Sequence, residues 1–209
     1  MAYLILVRHG ITTYNENGLW SGWDDAPSLT KKGVEEAMRA GESIKDIHLD
    51  YAFSSSLKRA KETLDEIKKI INIQDIPTVS ARELNERNYG DFTAKNKWDI
   101  KKIIGDDEFL KLRRSWNYPI PNGESLKQVY DRIIPYFKST IIPIIKNNKN
   151  VIISSSGNAL RALVKFLENI SDDDIVDFEI GTGEVYIYNI DINGKLINKE
   201  IRAVNKNIS

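Results

Sequence analysis

The chain of 209 residues is long enough for one well-filled α/β domain, and nothing in its length requires two. Its 30 acidic and 30 basic residues balance, so the net charge gives no reason to expect nucleic acid or an acidic membrane as a partner. The absence of cysteine excludes disulfides, thiol catalysis and cysteine-ligated metal sites, and 2 histidines do not favour a histidine-rich metal site. The apolar run YLILV is too short for a membrane span and lacks the layout of a signal peptide. We therefore expect a soluble cytoplasmic protein.

The first half of the chain alternates strand and helix patterns. Residues 2–7 predict a buried strand, and Thr30 is a suitable N-cap for a helix that ends near residue 46. A second strand at 51–55 is followed by a helix over about 57–71. The apolar face predicted for the first helix consists of Val34, Ala37, Met38, Gly41 and Ile44.

Residues 81–121 form a long polar and aromatic segment, interrupted by Gly90, Gly105 and the Pro119/Pro121 pair. Loops of this length in compact domains are usually functional or disordered, and the aromatic content argues against disorder. We therefore expect an excursion that carries short helices and belongs to the active site, not a separate domain.

The second half of the chain continues the alternation. Residues 124–147 have a helical pattern that Pro135 and Pro143 must kink or divide. The stretch VIISSSGNALRAL, 151–163, predicts a buried strand, a small-residue turn and the start of a helix. A short acidic helix and two strands joined at DINGK follow, where Asn-Gly is a hairpin signal. We expect the polar residues 203–209 to form a mobile tail.

This order of elements predicts an α/β fold with a mostly parallel central sheet and helices on both faces, in a single domain over 1–209. Ligands of such sheets bind in the crevice at the carboxyl ends of the strands. The junctions LVRHG, FSSSLKRA and SSSGN should lie side by side at that edge.

Two of these junctions carry groups that suit phosphoryl transfer. Arg8 and Arg59 can clamp a phosphate, because a guanidinium offers paired donors and a permanent charge. His9 between them can act as a nucleophile on phosphorus. His48 is expected to be an ordinary surface histidine.

Six segments extend this pattern into a family resemblance. LVRHG with Thr12 and Asn15, then SGW, LKRAKETL, ELNERNYG, LRRSWNYPIPNGESL and SGNALRAL, closely resembles the cofactor-dependent phosphoglycerate mutases of the histidine phosphatase superfamily. The resemblance runs from about residue 3 to residue 190, in order and with similar spacing. It implies interconversion of 3- and 2-phosphoglycerate, with 2,3-bisphosphoglycerate as the priming cofactor and no metal.

The resemblance also implies roles for individual residues. His9 matches the phosphorylated nucleophile, Arg8 and Arg59 match the residues that hold the phosphoryl group, and Glu86 matches the general acid and base. The positions that match the substrate pocket are Asn15, Ser21, Gly22, Tyr89, Lys97, Arg113, Arg114, Gly157 and Asn158. Members of this family act on small phosphoglycerates and often form pairs, so a homodimer is the expectation.

Ser156 departs from the family pattern. A histidine normally stands at this position, where it bonds the transferred phosphoryl group, and serine offers only a shorter, uncharged donor. Losing one charged donor in such a pocket typically costs about 3 kcal/mol, or roughly a hundredfold in rate. Ser156 as a nucleophile is not favoured, because SSSGN lacks the glycine-x-serine-x-glycine elbow. Ile11 and Asn88 also replace usual family residues, and Ile11 bears on the packing of the pocket mouth.

Three functions remain open at this stage. A mutase is favoured, because Lys97 with the Arg113–Arg114 pair suits a substrate that has both a carboxylate and a phosphate. A phosphatase of the same superfamily would not need that set. The third reading is a catalytically weak variant that binds phosphoglycerate, since Ser156 replaces a histidine.

Overall fold

The computed structural model describes residues 1–205 and contains one mixed sheet of six strands. The strands, in chain order, are β1 (Ala2–Arg8), β2 (Tyr51–Ser55), β3 (Thr78–Ala81), β4 (Val151–Ser155), β5 (Val185–Ile190) and β6 (Leu196–Arg202). Their order across the sheet is β3-β2-β4-β1-β5-β6; neighbouring strands from β3 to β1 pair in parallel, and β5 pairs antiparallel with both β1 and β6. The predicted, mostly parallel α/β sheet is confirmed, as is the hairpin at DINGK. The edge strand β3 was not predicted, because its four residues TVSA, of which the first three are exposed, lack the apolar run of a buried strand.

Eight helices accompany the sheet in the described part of the chain: α1 (Thr13–Glu16), α2 (Lys31–Ser43), α3 (Lys58–Ile70), α4 (Lys97–Ile104), α5 (Asp106–Arg114), α6 (Leu126–Tyr136), α7 (Ile142–Lys146) and α8 (Gly157–Glu168). Successive side chains of β1 point to opposite faces of the sheet. Leu4 and Leu6 pack with α6 and α8, whereas Ile5 and Val7 pack with α2 and α3. The prediction of helices on both faces is therefore confirmed.

Helix α2 begins where the sequence predicted. The hydroxyl of Thr30 accepts a hydrogen bond from the Gly33 amide and caps the helix. The helix ends at Ser43, three residues before the predicted end.

The buried face of α2 differs from the predicted one. Three predicted positions are buried, namely Ala37, Gly41 and Ile44. Val34 is half-buried, and the prediction for Met38 is wrong, since this side chain is 41% exposed. The face is rotated toward Glu36, whose buried carboxylate accepts a hydrogen bond from the Ile11 amide at 2.8 Å.

Segment 81–121 contains the short helices that were predicted. It has 3-10 turns at Arg82–Leu84 and Gly90–Phe92, followed by α4 and α5. A small apolar cluster holds this segment together and consists of Trp20, Tyr89, Phe109, Leu112 and Ile120. Four partly buried residues of the same segment pack against this cluster, namely Phe92, Ile100, Ile104 and Tyr118.

The two prolines divide the helical region 124–147 as predicted. Helix α6 ends one residue after Pro135, a π-helical segment covers Phe137–Ile141, and Pro143 lies in the first turn of α7. Proline has no amide hydrogen to donate, so the helical hydrogen-bond pattern must change at each site.

Residues 203–209 were expected to form a mobile tail, but Asn205 is held in place. This side chain is buried and its Nδ2 donates to Glu36 Oε1 at 2.8 Å and to the Thr182 carbonyl at 3.0 Å. Residues 206–209 lie outside the described residues. No helix between residues 1 and 205 is long and apolar enough to cross a membrane.

Candidate active site

Three strand ends meet at the carboxyl edge of the sheet, as predicted. β4 lies between β2 and β1, and the amide of His9 donates to the Ser155 carbonyl at 2.9 Å. The loops that follow these strands therefore surround one crevice.

His9 lies at this edge with a neutral imidazole. Its side chain is buried, and Nδ1 lies 2.8 Å from the Gly10 carbonyl oxygen. A carbonyl can only accept, so Nδ1 carries the proton and Nε2 keeps its lone pair. Burial, then the positive charges of Arg59 and Arg8, lower the pKa of His9 well below its ordinary value. The imidazole is therefore neutral at neutral pH, and the lone pair of Nε2 is available to attack an electrophile.

Arg8 and Arg59 are anchored with donors to spare. Arg59 Nη1 donates to the Asp24 carbonyl at 3.1 Å and Nη2 to the Gly22 carbonyl at 2.8 Å. Arg8 Nη1 donates to the Ile180 carbonyl at 2.5 Å. The Nε of each arginine is buried and has no partner among the described residues. A buried donor without an acceptor is costly, so the pair is suited to an anion with several oxygens.

Glu86 lies at the start of α8. Its Oε1 accepts hydrogen bonds from the Arg87 amide at 2.6 Å and the Asn158 amide at 3.2 Å. The amides of a first helical turn lack partners inside the helix, so a carboxylate is stabilised there. The Glu86 main chain is also held, because Trp23 Nε1 donates to its carbonyl at 2.6 Å.

One cavity contains every predicted site residue except Ser156. It is lined by Arg8, His9, Asn15, Ser21, Gly22, Arg59, Glu86, Tyr89, Lys97, Arg113, Arg114, Gly157 and Asn158. These residues come from loops and helices that are far apart in the chain. The motifs of the sequence thus meet at one site.

Ser156 is not among the residues that line the cavity. Its side chain is fully buried, and its hydroxyl neither caps α8 nor finds a partner among residues 1–205. The two preceding serines are structural, since Ser154 Oγ donates to the Ala60 carbonyl at 2.8 Å and Ser155 Oγ to the Leu84 carbonyl at 2.5 Å. Ser154 and Ser155 therefore tie the end of β4 to neighbouring segments.

The side of the cavity that α4 and α5 form is strongly basic. Burial, then the charges of Arg113 and Arg8, lower the pKa of Lys97 to about 8. Burial and the adjacent Arg114 likewise lower the pKa of Arg113. Arg114 forms an ion pair with Glu179. A multiply charged anion would relieve the repulsion among these cations.

Five residues that line the cavity were not predicted, namely Leu19, Trp20, Arg161, Glu179 and Ile180. Arg161 follows Asn158 by one turn of α8, a spacing that places both on one helix face. Trp20 precedes the predicted Ser21. Glu179 has no motif around it, and only the fold brings it to Arg114.

The other two departures from the family pattern, Ile11 and Asn88, also lie outside the lining of this cavity. Ile11 donates its amide to Glu36. Asn88 donates its amide to Glu124 Oε2 at 2.8 Å, and its Oδ1 accepts from the Gly90 amide at 2.9 Å. His48 is exposed at the surface, as predicted.

The fold and the site define the class of the protein. A buried histidine at a strand end, between two arginines, is the arrangement expected of a histidine phosphatase, and residues 4–200 match the family described as "Histidine phosphatase superfamily (branch 1)". The chain belongs to this superfamily.

Sequence relatives narrow the assignment. The chain is 40% identical over 200 residues to "Phosphoglycerate mutase" of Schizosaccharomyces pombe, covering 95% of this chain and 94% of the relative. It is 40% identical over 198 residues to "2,3-bisphosphoglycerate-dependent phosphoglycerate mutase" of Bradyrhizobium diazoefficiens, covering 94% and 95%. These relatives confirm the predicted resemblance to cofactor-dependent phosphoglycerate mutases and the prediction of an enzyme of this kind.

Solved structures agree on the fold. The phosphoglycerate mutase of Bacillus anthracis superposes with a TM-score of 0.74 at 24% identity, covering 94% of this chain and 90% of that one. A mycobacterial glucosyl-3-phosphoglycerate phosphatase superposes with a TM-score of 0.82 at 19% identity, covering 98% and 100%. Proteins named as mutases and proteins named as phosphatases therefore share this fold.

Proposed function

We propose that this protein interconverts 3- and 2-phosphoglycerate through a phosphoryl group carried on His9, with 2,3-bisphosphoglycerate as cofactor. One observation carries the proposal. A neutral, buried imidazole lies in the same cavity as Arg8 and Arg59, whose buried Nε groups lack an acceptor within the described chain. The names of the sequence relatives support the substrate and the cofactor.

The residues present suit this cofactor. Arg8 and Arg59 offer unpartnered donors for one phosphoryl group, and the basic side with Lys97 and Arg114 offers charge for a carboxylate and a second phosphoryl group. When bound, 2,3-bisphosphoglycerate supplies the phosphoryl group that primes the enzyme. No metal enters the proposal.

Each transfer uses His9 and Glu86. Nε2 of His9 attacks phosphorus, and the phosphorus–nitrogen bond forms as the phosphorus–oxygen bond to the substrate breaks. Glu86 gives a proton to the departing oxygen. In the opposite direction Glu86 takes the proton of a hydroxyl, which attacks phosphorus and frees His9. Arg8 and Arg59 stabilise the negative charge on the phosphoryl oxygens during both transfers.

Ser156 should make these transfers slow. Its hydroxyl is uncharged, so it cannot supply the charge that a histidine would. The loss of one charged donor corresponds to about 3 kcal/mol of activation free energy, roughly a hundredfold in rate. We therefore propose a mutase of weak turnover.

A phosphatase is the second candidate, and the superposition on a phosphatase shows that the fold allows it. The basic set of Lys97, Arg113 and Arg114 favours the mutase, because a plain phosphomonoester does not need three cations beyond Arg8 and Arg59. A weak phosphoglycerate-binding variant is the limiting case of slow turnover.

A coupled mutase assay, run with and without 2,3-bisphosphoglycerate and paired with a measurement of phosphate release, tests the proposal. We expect low activity that the bisphosphate stimulates and that His9→Ala abolishes. His48→Ala is the matched control, since His48 is the other histidine of the chain, and it should leave activity unchanged. Phosphate release from varied monoesters without mutase activity would establish the phosphatase. Turnover that survives His9→Ala would refute the mechanism.

We also propose that the protein acts in the cytoplasm on small phosphoglycerates, without a nucleic acid or membrane partner, and forms a homodimer. Light scattering tests the dimer, with an expected mass of twice the 23.9 kDa of one chain. A monomer mass at micromolar concentration would rule the dimer out.

A further inference from the structure

We propose that Arg161 is a positioning residue that fixes the Asn158 amide and the end of α5, and thereby sets how tightly the site holds phosphoglycerate compared with a bare phosphate-like anion. The inference rests on the proposed function and extends it to a residue outside the predicted set. Arg161 lies on α8, a helix that packs against the central sheet. Arg113 and Arg114 lie on α5, within the excursion.

The carboxyl end of α5 is capped by two buried guanidinium groups. Arg87 Nη2 donates to the Leu112 carbonyl at 3.0 Å and to the Arg113 carbonyl at 3.3 Å. Arg161 Nη2 donates to the Arg114 carbonyl at 3.0 Å. The last carbonyls of a helix lack internal partners and carry partial negative charge, so buried cations stabilise them. The backbone that bears Arg113 and Arg114 is thus tied to the sheet side of the cavity.

Arg161 also sets the orientation of the Asn158 side chain. Arg161 Nη1 donates to Asn158 Oδ1 at 2.9 Å, and a guanidinium has only donors. The amide nitrogen of Asn158 therefore points the other way and donates to Tyr89 Oη at 3.1 Å. Asn158 and Tyr89 both line the cavity, so Arg161 controls which polar atoms a ligand meets.

The shape of arginine suits this task. The two Nη groups reach Asn158, Arg114 and the Ile175 carbonyl, the last at 2.5 Å. A lysine ammonium is a single point donor and cannot bridge three acceptors on separate elements. Burial, then Arg87 and Arg114, lower the pKa of Arg161 only to about 10, so the bridge stays charged at neutral pH.

The bonds of Arg161 leave the phosphoryl end of the cavity untouched. The donors of Arg8 and Arg59 are anchored on Ile180, Gly22 and Asp24 instead. Loss of Arg161 should therefore weaken contacts to the glycerate part of a ligand, and should leave the binding of an anion that fills only the phosphoryl end.

Calorimetric titration of Arg161→Gln and Arg161→Lys with 3-phosphoglycerate and with vanadate tests the inference. Loss of hydrogen bonds to a charged group corresponds to a weakening of tenfold or more, so we expect the dissociation constant of Arg161→Gln for 3-phosphoglycerate to rise by about that factor. Arg161→Lys should lie between Arg161→Gln and the parent. The dissociation constant for vanadate should change by less than about twofold.

Lys165→Gln is the matched control. Lys165 lies one turn further along α8 and is also buried, but its Nζ donates to the Ile170 carbonyl at 2.6 Å, pairs with Asp172 at 2.7 Å and lies over the Trp116 ring, whereas Arg161 bonds Asn158 and the Arg114 carbonyl. This variant should match the parent with both ligands. Vanadate binding reports that each variant is folded. If Arg161→Gln aggregates, the result for Arg161→Lys decides the test.

Equal weakening for both ligands, or no change for either, would overturn the inference. The proposed function is tested separately by the coupled assay on the parent protein. A parent that binds 3-phosphoglycerate without converting it would establish the weak binding variant in place of the mutase, while the ratio of the two dissociation constants would still decide the role of Arg161.

Discussion

Arg132 holds the main chain of Glu86, since its Nη2 donates to the Glu86 carbonyl at 2.8 Å. The same guanidinium donates to the carbonyls of Asn85 at 2.9 Å and Glu83 at 2.7 Å. Glu124 fixes it from another side, accepting Nε at 2.7 Å and Nη2 at 3.0 Å. One arginine on α6 therefore immobilises the segment that carries the proposed acid and base.

Arg132→Lys should lower kcat by about tenfold or more with KM changed by less than about twofold. A displacement of about 1 Å at a reacting group can cost a hundredfold in rate, and Arg132 touches the Glu86 backbone but none of the basic residues that would bind substrate. Steady-state kinetics in the coupled assay measure this split. Lys127→Met is the control, because Lys127 lies on the same helix and pairs with Asp131 at the surface. A raised KM with an unchanged kcat would contradict this role for Arg132.

Ser156→His should raise kcat at least tenfold. The substitution returns an imidazole that can donate to the transferred phosphoryl group, and one charged donor corresponds to about 3 kcal/mol. Ser156→Asn adds polar bulk without a titratable group and should give no increase. Both variants are compared with the parent in the cofactor-stimulated assay. Equal rates for Ser156→His and the parent would mean that another group already serves the function of the missing histidine.

The phosphoryl end of the site could be predicted because each of its residues follows a recognisable signal. Arg8 and His9 end an apolar strand, and Arg59 opens a helix directly after another strand. Strand order alone then brings these junctions together. Glu86 needed the family motif, since a glutamate in a polar segment carries no signal of its own.

The five lining residues that the sequence did not predict depend on contacts between distant segments. Glu179 lies in no strand or helix and meets Arg114 only through the fold. Ser156 follows the strand as the motif requires, yet its hydroxyl is buried and has no partner within residues 1–205. Met38 fits an apolar helical pattern but is exposed, because Glu36 takes the buried position for its hydrogen bonds.

Gly33→Ala should lower the free energy of unfolding by about 1–3 kcal/mol. A Cβ at Gly33 would lie 2.1 Å from the Ile11 carbonyl oxygen. Both atoms are fixed by the backbone, so no side-chain rotation can relieve this clash. The same loop carries His9, so kcat should fall as well. Urea denaturation and the coupled assay measure the two effects. Lys32→Ala, an exposed neighbour on α2, should change stability by less than about 0.5 kcal/mol, and a Gly33→Ala protein as stable as this control would refute the steric argument.

Substrate affinity should fall as the pH rises through 8, because Lys97 then loses its charge. Burial, Arg113 and Arg8 lower its pKa from 10.5 to about 8, so the cation that attracts an anionic substrate is present below pH 8 and lost above it. The sign for folding is the opposite. Between about pH 8 and 10.5 the unfolded chain binds the proton that the folded chain has released, so the free energy of unfolding gains from this group as the pH rises.

The change in affinity is measured from the pH profiles of KM and of kcat/KM for phosphoglycerate. The profile of kcat/KM reports groups of the free enzyme. Lys97→Arg should keep its charge and give a flat KM between pH 7 and pH 9, whereas KM of the parent should rise several-fold over this range. Lys101→Arg is the matched control, since Lys101 lies on the same helix but pairs with Asp106 at the surface, and its profile should match the parent. If Lys97→Arg loses affinity above pH 8 as the parent does, the titrating group is not Lys97, and the basic side of the cavity draws its pH dependence from another residue.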